Sequence, residues 1–110
     1  MIIVQNEARC FGVKFAMQND RGNEVGRAFL YAMYNDLHDK PFGLMEDVYI
    51  AKEIRSQGLG MSLVKQVIKV ARERGCYKLI ATSRYSRSRV HKLYLELGFR
   101  DHGKEFRIDF

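Results

Sequence analysis

The chain is 110 residues long with 46% hydrophobic and 12% aromatic content, sufficient for one packed core and too apolar for a disordered protein. Its net charge of +6 favours anionic partners, while two cysteines without a C-x-x-C pair and three histidines without ligand spacing exclude a disulfide scaffold and predict no metal. No apolar run approaches the ~20 residues that span a bilayer, and the first residues lack the basic-then-apolar layout of a signal peptide, so a soluble cytoplasmic domain over residues 1–110 is expected.

Met1 to Arg9 supplies a strand or a tail. From Phe11 to Met17, apolar Phe11, Val13, Phe15 and Met17 alternate with Gly12, Lys14 and Ala16, the period of a half-buried strand. Asn19 to Asn23 is a turn signal, and Val25 to Tyr34 resumes an apolar, aromatic-rich run, which predicts an antiparallel hairpin. Asn35 to Gly43 holds the only proline, Pro41, and forms a loop into a third strand over Leu44 to Lys52. The period then changes. Met61, Val64, Val67, Ile68 and Ala71 recur every three or four residues, predicting a helix from Gly60 to Arg74 that Gly75 closes. Lys78 to Ser83 is a short strand. Val90, Leu93, Tyr94 and Leu97 mark a second helical stripe ended by Gly98, and Phe99–Asp101 with Glu105–Phe110 predicts a closing hairpin around His102 and Gly103. The order β-β-β-α-β-α-β-β is that of an α/β domain with a mixed, mostly antiparallel sheet and two principal helices.

Between the third strand and the first helix lies Arg55-Ser56-Gln57-Gly58-Leu59-Gly60-Met61. A helix start offers unpaired N–H groups and a positive dipole end, glycines let an anion approach the backbone, and Arg55 adds a charge. These residues form a pyrophosphate cradle; the bland alternative is a helix-capping turn without a ligand. A Rossmann dinucleotide site fits less well, because Leu63 stands where the third glycine of Gly-x-Gly-x-x-Gly belongs. Downstream, Arg87-Ser88-Arg89-Val90-His91-Lys92-Leu93-Tyr94 leads into Leu95-Glu96-Leu97-Gly98-Phe99.

From about Met45 to Phe99 the chain resembles the GNAT N-acetyltransferase superfamily, in its Arg-x-x-Gly-x-Gly loop and in the later Tyr94-x-x-x-Gly98-Phe99. The resemblance implies transfer of an acetyl group from acetyl-CoA to a primary amine by direct attack in a ternary complex. By it, Ser56, Gln57, Gly58, Leu59, Gly60 and Met61, with Arg55, hold the CoA diphosphate, and the backbone of Val48, Tyr49 and Ile50 pairs with the pantetheine arm and acetyl group. Ser56 stands where relatives often have glycine. Arg87 replaces an asparagine that many relatives carry, so that contact with CoA becomes a salt link. Compared with the family plan the front is short, lacking the two helices that often wall the acceptor pocket. An open acceptor side follows, to be finished by a loop, a broad protein substrate or a partner subunit, with a homodimer favoured.

Acetyl transfer needs a neutral amine, a held carbonyl and a proton for the departing thiolate. Tyr94 occupies the family's tyrosine position as general acid; its stripe with Val90 and Leu97 equally fits a core aromatic. Glu46, in Met45-Glu46-Asp47, is the candidate base, and alternation lets only one of Glu46 and Asp47 face the acceptor. It reads equally as a strand-edge charge. His91 fits a surface helix histidine better than a second proton carrier. Two rival functions remain: a module that binds acyl-CoA without turnover, and, ranking lower, a nucleic-acid-binding domain using Arg84, Tyr85, Arg87, Arg89 and Lys92. The acceptor itself is not legible: a small amine, a lysine side chain and a protein N-terminus all fit.

Overall fold

A computed structural model describes residues 1–110. Strands β1 (Cys10–Gln18), β2 (Glu24–Met33) and β3 (Phe42–Ile50) are followed by a 3-10 turn at Lys52–Ile54, helix α1 (Leu59–Glu73), strand β4 (Leu79–Ala81) and helix α2 (Ser88–Glu96). The sheet order is β1-β2-β3-β4, antiparallel through the first three strands and parallel between β3 and β4. A parallel pair needs a crossover, and α1 provides it.

Alternation decides which side chains α1 covers. Ala28, Leu30 and Ala32 of β2 and Met45 of β3 are fully or nearly buried, while Arg27, Phe29 and Tyr31 turn to the other face. From α1, Leu63, Val64, Val67 and Ala71 fall on one stripe and close over Ala28, Leu30 and Met45. Each buried leucine or valine contributes roughly 1.5–3 kcal/mol, so this layer fixes α1 on the sheet and, with it, the position of the loop that precedes α1.

Both helices end in the same way. Gly75, at φ 80°, and Gly98, at φ 99°, take the left-handed conformation, and paired bonds run back from Gly75 to Arg72, Cys76 to Ala71, Gly98 to Leu95 and Phe99 to Tyr94. This is the Schellman ending, which brings the residue after the glycine against the one five positions earlier. After Gly98 those residues are Phe99 and Tyr94, with ring centroids 5.2 Å apart.

The third strand begins two residues earlier than its apolar run, at Phe42, and stops at Ile50 because Ala51 to Ile54 turn away; β4 is confined to Leu79–Ala81. One expectation needs correction. The closing hairpin is absent: residues 99–110 hold no strand, so the order is β-β-β-α-β-α. Alternation in Phe106, Ile108 and Phe110 encodes competence to form a strand but not the strand with which to pair, and no residue from 100 to 110 enters a backbone hydrogen bond outside the regular elements.

Candidate active site

The parallel pairing of β3 with β4 covers only Gly43↔Leu79, Leu44↔Ile80 and Met45↔Ala81. Beyond Met45, β3 continues to Ile50 with that edge open, so the two strands bound a wedge. The cause lies on β3 itself. The register against β2 jumps between Arg27↔Tyr49 and Phe29↔Glu46, leaving Asp47 and Val48 opposite the single residue Ala28, a bulge in which Asp47 sits at φ 50°. Aspartate tolerates this left-handed geometry better than most residues.

The bulge sorts the three backbone positions assigned to the pantetheine arm. Ala51 donates to Val25 across β2, so by alternation the Tyr49 amide also points into the sheet, while those of Val48 and Ile50 point to the open edge. Ile50 confirms the direction, since its carbonyl accepts from Arg55 Nε at 2.8 Å. Val48 and Ile50 thus turn their backbone groups toward the wedge, and Tyr49 turns its own toward β2. Tyr49 contributes its ring instead, which lies 4.8 Å from the Arg27 guanidinium and 5.6 Å from that of Arg55. Arg55 is thus held at the wedge mouth by a carbonyl and a ring.

Past Arg55 the backbone turns sharply. Ser56, at φ 70°, and Gly58, at φ 75°, are both left-handed, and Gly58 is the N-cap of α1. For serine this costs roughly 1–2 kcal/mol, a strain the loop carries because it aims successive amides outward. The N–H groups of Ser56, Gln57, Gly58, Leu59, Gly60 and Met61 have no partner in the chain; the first helical bond is Ser62 to Gly58 at 3.2 Å. No side chain caps the helix and no acidic residue lies in its first turn. Nothing comes within 4 Å of a Cβ built on Gly58. Six free donors, a positive helix end and an unobstructed surface are the features from which backbone nests build anion sites.

Glu46 and Tyr94, far apart in sequence, are brought close enough for the carboxylate to act on the phenol. Burial raises the Tyr94 phenol above its ordinary value, and the Glu46 charge raises it further. Glu46 is raised chiefly by burial, then by Asp47 and Glu105, with Arg107 opposing. The Tyr94 hydroxyl makes no hydrogen bond in the chain and is not sealed from solvent. Its ring packs against the core beside Phe99, so the core and proton-donor readings of Tyr94 describe two ends of one side chain.

The remaining candidates are placed apart. Arg87 is the exposed N-cap of α2 and makes no ion pair or hydrogen bond through its guanidinium. His91 Nε2 donates to the Arg84 carbonyl at 2.8 Å, which ties the incoming loop to α2. Cys76 is half-buried with its thiol raised by burial, the reverse of an activated nucleophile. No group of three or more histidine, cysteine or acidic side chains is placed to hold a metal ion, and no helix is long and apolar enough to cross a membrane. Asp47's bulge and the tail residues Glu105 and Arg107 were not singled out from the sequence for the site; an aspartate ending a strand's alternation is the signal for the first, and nothing marks the others.

A wedge in a mixed sheet lies beside a helix start bearing free amides, with the half-buried Glu46 and Tyr94 nearby. The description matches a known family. A model of the Acetyltransferase (GNAT) family fits residues 3–99, and the chain belongs to that family. It is 36% identical over 67 residues to a glucosamine 6-phosphate N-acetyltransferase of Trypanosoma brucei brucei, spanning 61% of this chain and 44% of that protein. To a thialysine N-epsilon-acetyltransferase of Bos taurus it is 34% identical over 77 residues, 70% of this chain and 45% of the other. The chain spans about half the length of these relatives, or less. Among solved structures, a Trypanosoma brucei acetyltransferase superposes with a TM-score of 0.81 at 30% identity, covering 90% of this chain and 69% of that one.

Glu46 carries a testable linkage. An acid whose folded pKa lies above its unfolded value of about 4.5 destabilises the fold when ionised; the penalty is absent below that value and grows as pH rises through it to the folded pKa. Glu46→Gln is therefore expected to raise the melting temperature at pH 7.5 and to give no gain at pH 4. A variant that melts lower than the parent at neutral pH contradicts the assignment.

Proposed function

We propose that the chain is an acetyl-CoA-dependent N-acetyltransferase, in which a primary amine attacks the thioester directly in a ternary complex. The observation that carries this is the run of six unpartnered amides from Ser56 to Met61 at the mouth of the wedge. In the proposal these amides and Arg55 hold the diphosphate of CoA, and the pantetheine arm lies along the open edge of β3 against the Val48 and Ile50 backbone. An amide on that edge faces the thioester oxygen and stabilises its charge as the tetrahedral intermediate forms. Glu46 takes the ammonium proton, directly or through water, a task helped by its raised pKa. Tyr94, kept protonated at neutral pH, gives its proton to the departing thiolate. Arg87 adds a charge toward the CoA phosphates from α2. One domain holds all these groups.

The acceptor is an amine whose remaining structure the site leaves open. The relatives named for glucosamine 6-phosphate and thialysine both transfer to nitrogen, which supports the amine class and not either compound. Glu46 and Asp47 favour an acceptor that arrives as a cation. A homodimer and a cytoplasmic setting complete the proposal, the latter in keeping with two free cysteines.

The decisive measurement is thiol release from acetyl-CoA over a panel of amines, run beside thermal melts with and without CoA. Stabilisation by CoA together with amine-dependent thiol release is the expected result. Stabilisation without release from any amine indicates a module that binds the donor without turnover; neither effect removes the proposal.

A further inference from the structure

The groups that carry out the transfer leave the rest of the acceptor open; the face of the sheet on which Glu46 stands narrows it. Glu46 pairs with Phe29 and Tyr49 pairs with Arg27 across β2 and β3, and directly paired residues share a face. All four therefore stand on the side of the sheet away from α1, which packs on Ala28, Leu30 and Met45. An amine that reaches Glu46 lies across this open face, and whatever else the acceptor carries meets the residues beside Glu46.

Three guanidiniums lie around Glu46 and Tyr49, and two are committed. Arg107, whose charge is felt by Glu46, donates to Asp109 at 2.8 Å. Arg55 donates to the Ile50 carbonyl at 2.8 Å. Arg27 makes no hydrogen bond through its side chain. Its one acidic contact, Glu24, is 3.8 Å away, beyond hydrogen-bonding distance, and the Glu24 carboxylate is held by Lys14 at 2.6 Å. Ala16, the partner of Arg27 on β1, is small and exposed, and the guanidinium sits 4.8 Å from the centroid of the Tyr49 ring. Contact with a ring occupies the face of a guanidinium and leaves its in-plane N–H donors free.

Arg27 and Glu46 are diagonal neighbours, a separation of roughly 7–8 Å on a sheet, and no ion pair joins them. Two opposite charges held apart on one open face fit the two charges of a single small molecule. We propose that Arg27 anchors the acceptor, and that the substrates are amines carrying an oxyanion, carboxylate or phosphate, roughly 7–8 Å from the nitrogen, with the oxyanion on Arg27 and the ammonium on Glu46. The assignment rests on the acetyl transfer proposed above. Either oxyanion presents two oxygens to the guanidinium fork, which an alcohol or an alkyl chain cannot do. Diamines are rejected, because their second cation meets Arg27, with the Arg55 guanidinium 5.6 Å from the same tyrosine ring.

The test is thiol release from acetyl-CoA with the ω-amino carboxylates from glycine to 8-aminooctanoate, the ω-aminoalkyl phosphates, and the alkylamine and diamine of each length. In the unsubstituted chain kcat/KM is expected to peak near 6-aminohexanoate, which extends about as far as the two side chains stand apart, and to exceed that of hexylamine roughly ten- to a hundredfold. Carboxylates and phosphates of equal span show which oxyanion is preferred. Arg27→Gln should bring the ratio of 6-aminohexanoate to hexylamine close to one, Arg27→Lys should recover part of it, and Arg27→Glu should turn the preference toward the diamine. Each ratio is taken within one enzyme, so a smaller folded fraction cancels. Oxyanion-bearing amines with no advantage over alkylamines, an advantage indifferent to length, or a ratio that Arg27→Gln leaves intact overturns the anchor while acetyl transfer to amines stands. Thiol release from none of the amines removes the transferase reading and the anchor with it.

Discussion

A Gly58→Val substitution is expected to lower kcat/KM for acetyl-CoA by roughly two to four orders of magnitude and to abolish the rise in melting temperature that CoA confers. Gly58 sits at φ 75°, where valine's branched Cβ costs at least ~1–2 kcal/mol. The chain relieves that strain by turning residue 58 to negative φ, which reorients the neighbouring amides. A hydrogen bond to a charged group contributes about 1.5–3 kcal/mol, so losing two of the six donors gives the stated factor. Gly60→Ala is the matched control. A Cβ there meets only Ile50 Cγ1 at 3.9 Å, and alanine is a better helix residue than glycine by about 1 kcal/mol. It should melt higher than the parent and keep its donor affinity. Stopped-assay kinetics and thermal melts on the two variants separate damage to the fold from damage to the anion site. If Gly58→Val retains the parent's response to CoA, the amides from Ser56 to Met61 do not bind the diphosphate.

The contrast between these two glycines shows what was legible in the sequence. Local rules act on local residues: the three-and-four spacing of Val64, Val67 and Ala71 located α1, and the glycines before it marked the loop where Gly58 takes the left-handed conformation. Gly98 and Phe99 also obey a local rule, though a family motif conceals it. The glycine ends α2 and the phenylalanine packs on Tyr94, so Tyr94-x-x-x-Gly98-Phe99 is the spacing of a helix ending that sets Phe99 against the tyrosine ring. What alternation alone could not reveal was the bulge at Asp47. An extra residue on one strand changes which amides face outward without changing composition, so the inward turn of Tyr49's backbone between Val48 and Ile50 is not readable from spacing. The hairpin expected after Gly98 fails for a related reason. Phe106, Ile108 and Phe110 specify a strand, but pairing is a long-range property that depends on which edge is free and close. The influence of Glu105 and Arg107 on Glu46 is equally non-local, a consequence of where the chain runs after α2.

Tyr94→Phe tests the chemistry with little disturbance to the fold. The hydroxyl has no hydrogen-bond partner in the chain, while the ring carries the contacts with Phe99 and the core, so the variant is expected to melt within a degree or two of the parent. Donor KM should be nearly unchanged, because in the proposed mechanism the phenol acts on sulfur only as the carbon–sulfur bond breaks. The rate constant kcat should fall by roughly 10²–10⁴, the usual contribution of a positioned acid. The pH profile gives a second, independent readout. Tyr94 works as an acid only while protonated, and burial with the Glu46 charge moves its titration upward from 10.0, so the parent's rate should hold to high pH and decline beyond that value. In Tyr94→Phe the alkaline decline disappears, whereas the acidic limb, set by Glu46 losing its proton above 4.5, persists. In Glu46→Gln the acidic limb is the one lost. A Tyr94→Phe enzyme with parental kcat leaves the tyrosine as a core aromatic and requires water to protonate the thiolate. A variant whose KM and kcat fall together without any change in pH profile assigns Tyr94 to shaping the wedge rather than to proton transfer.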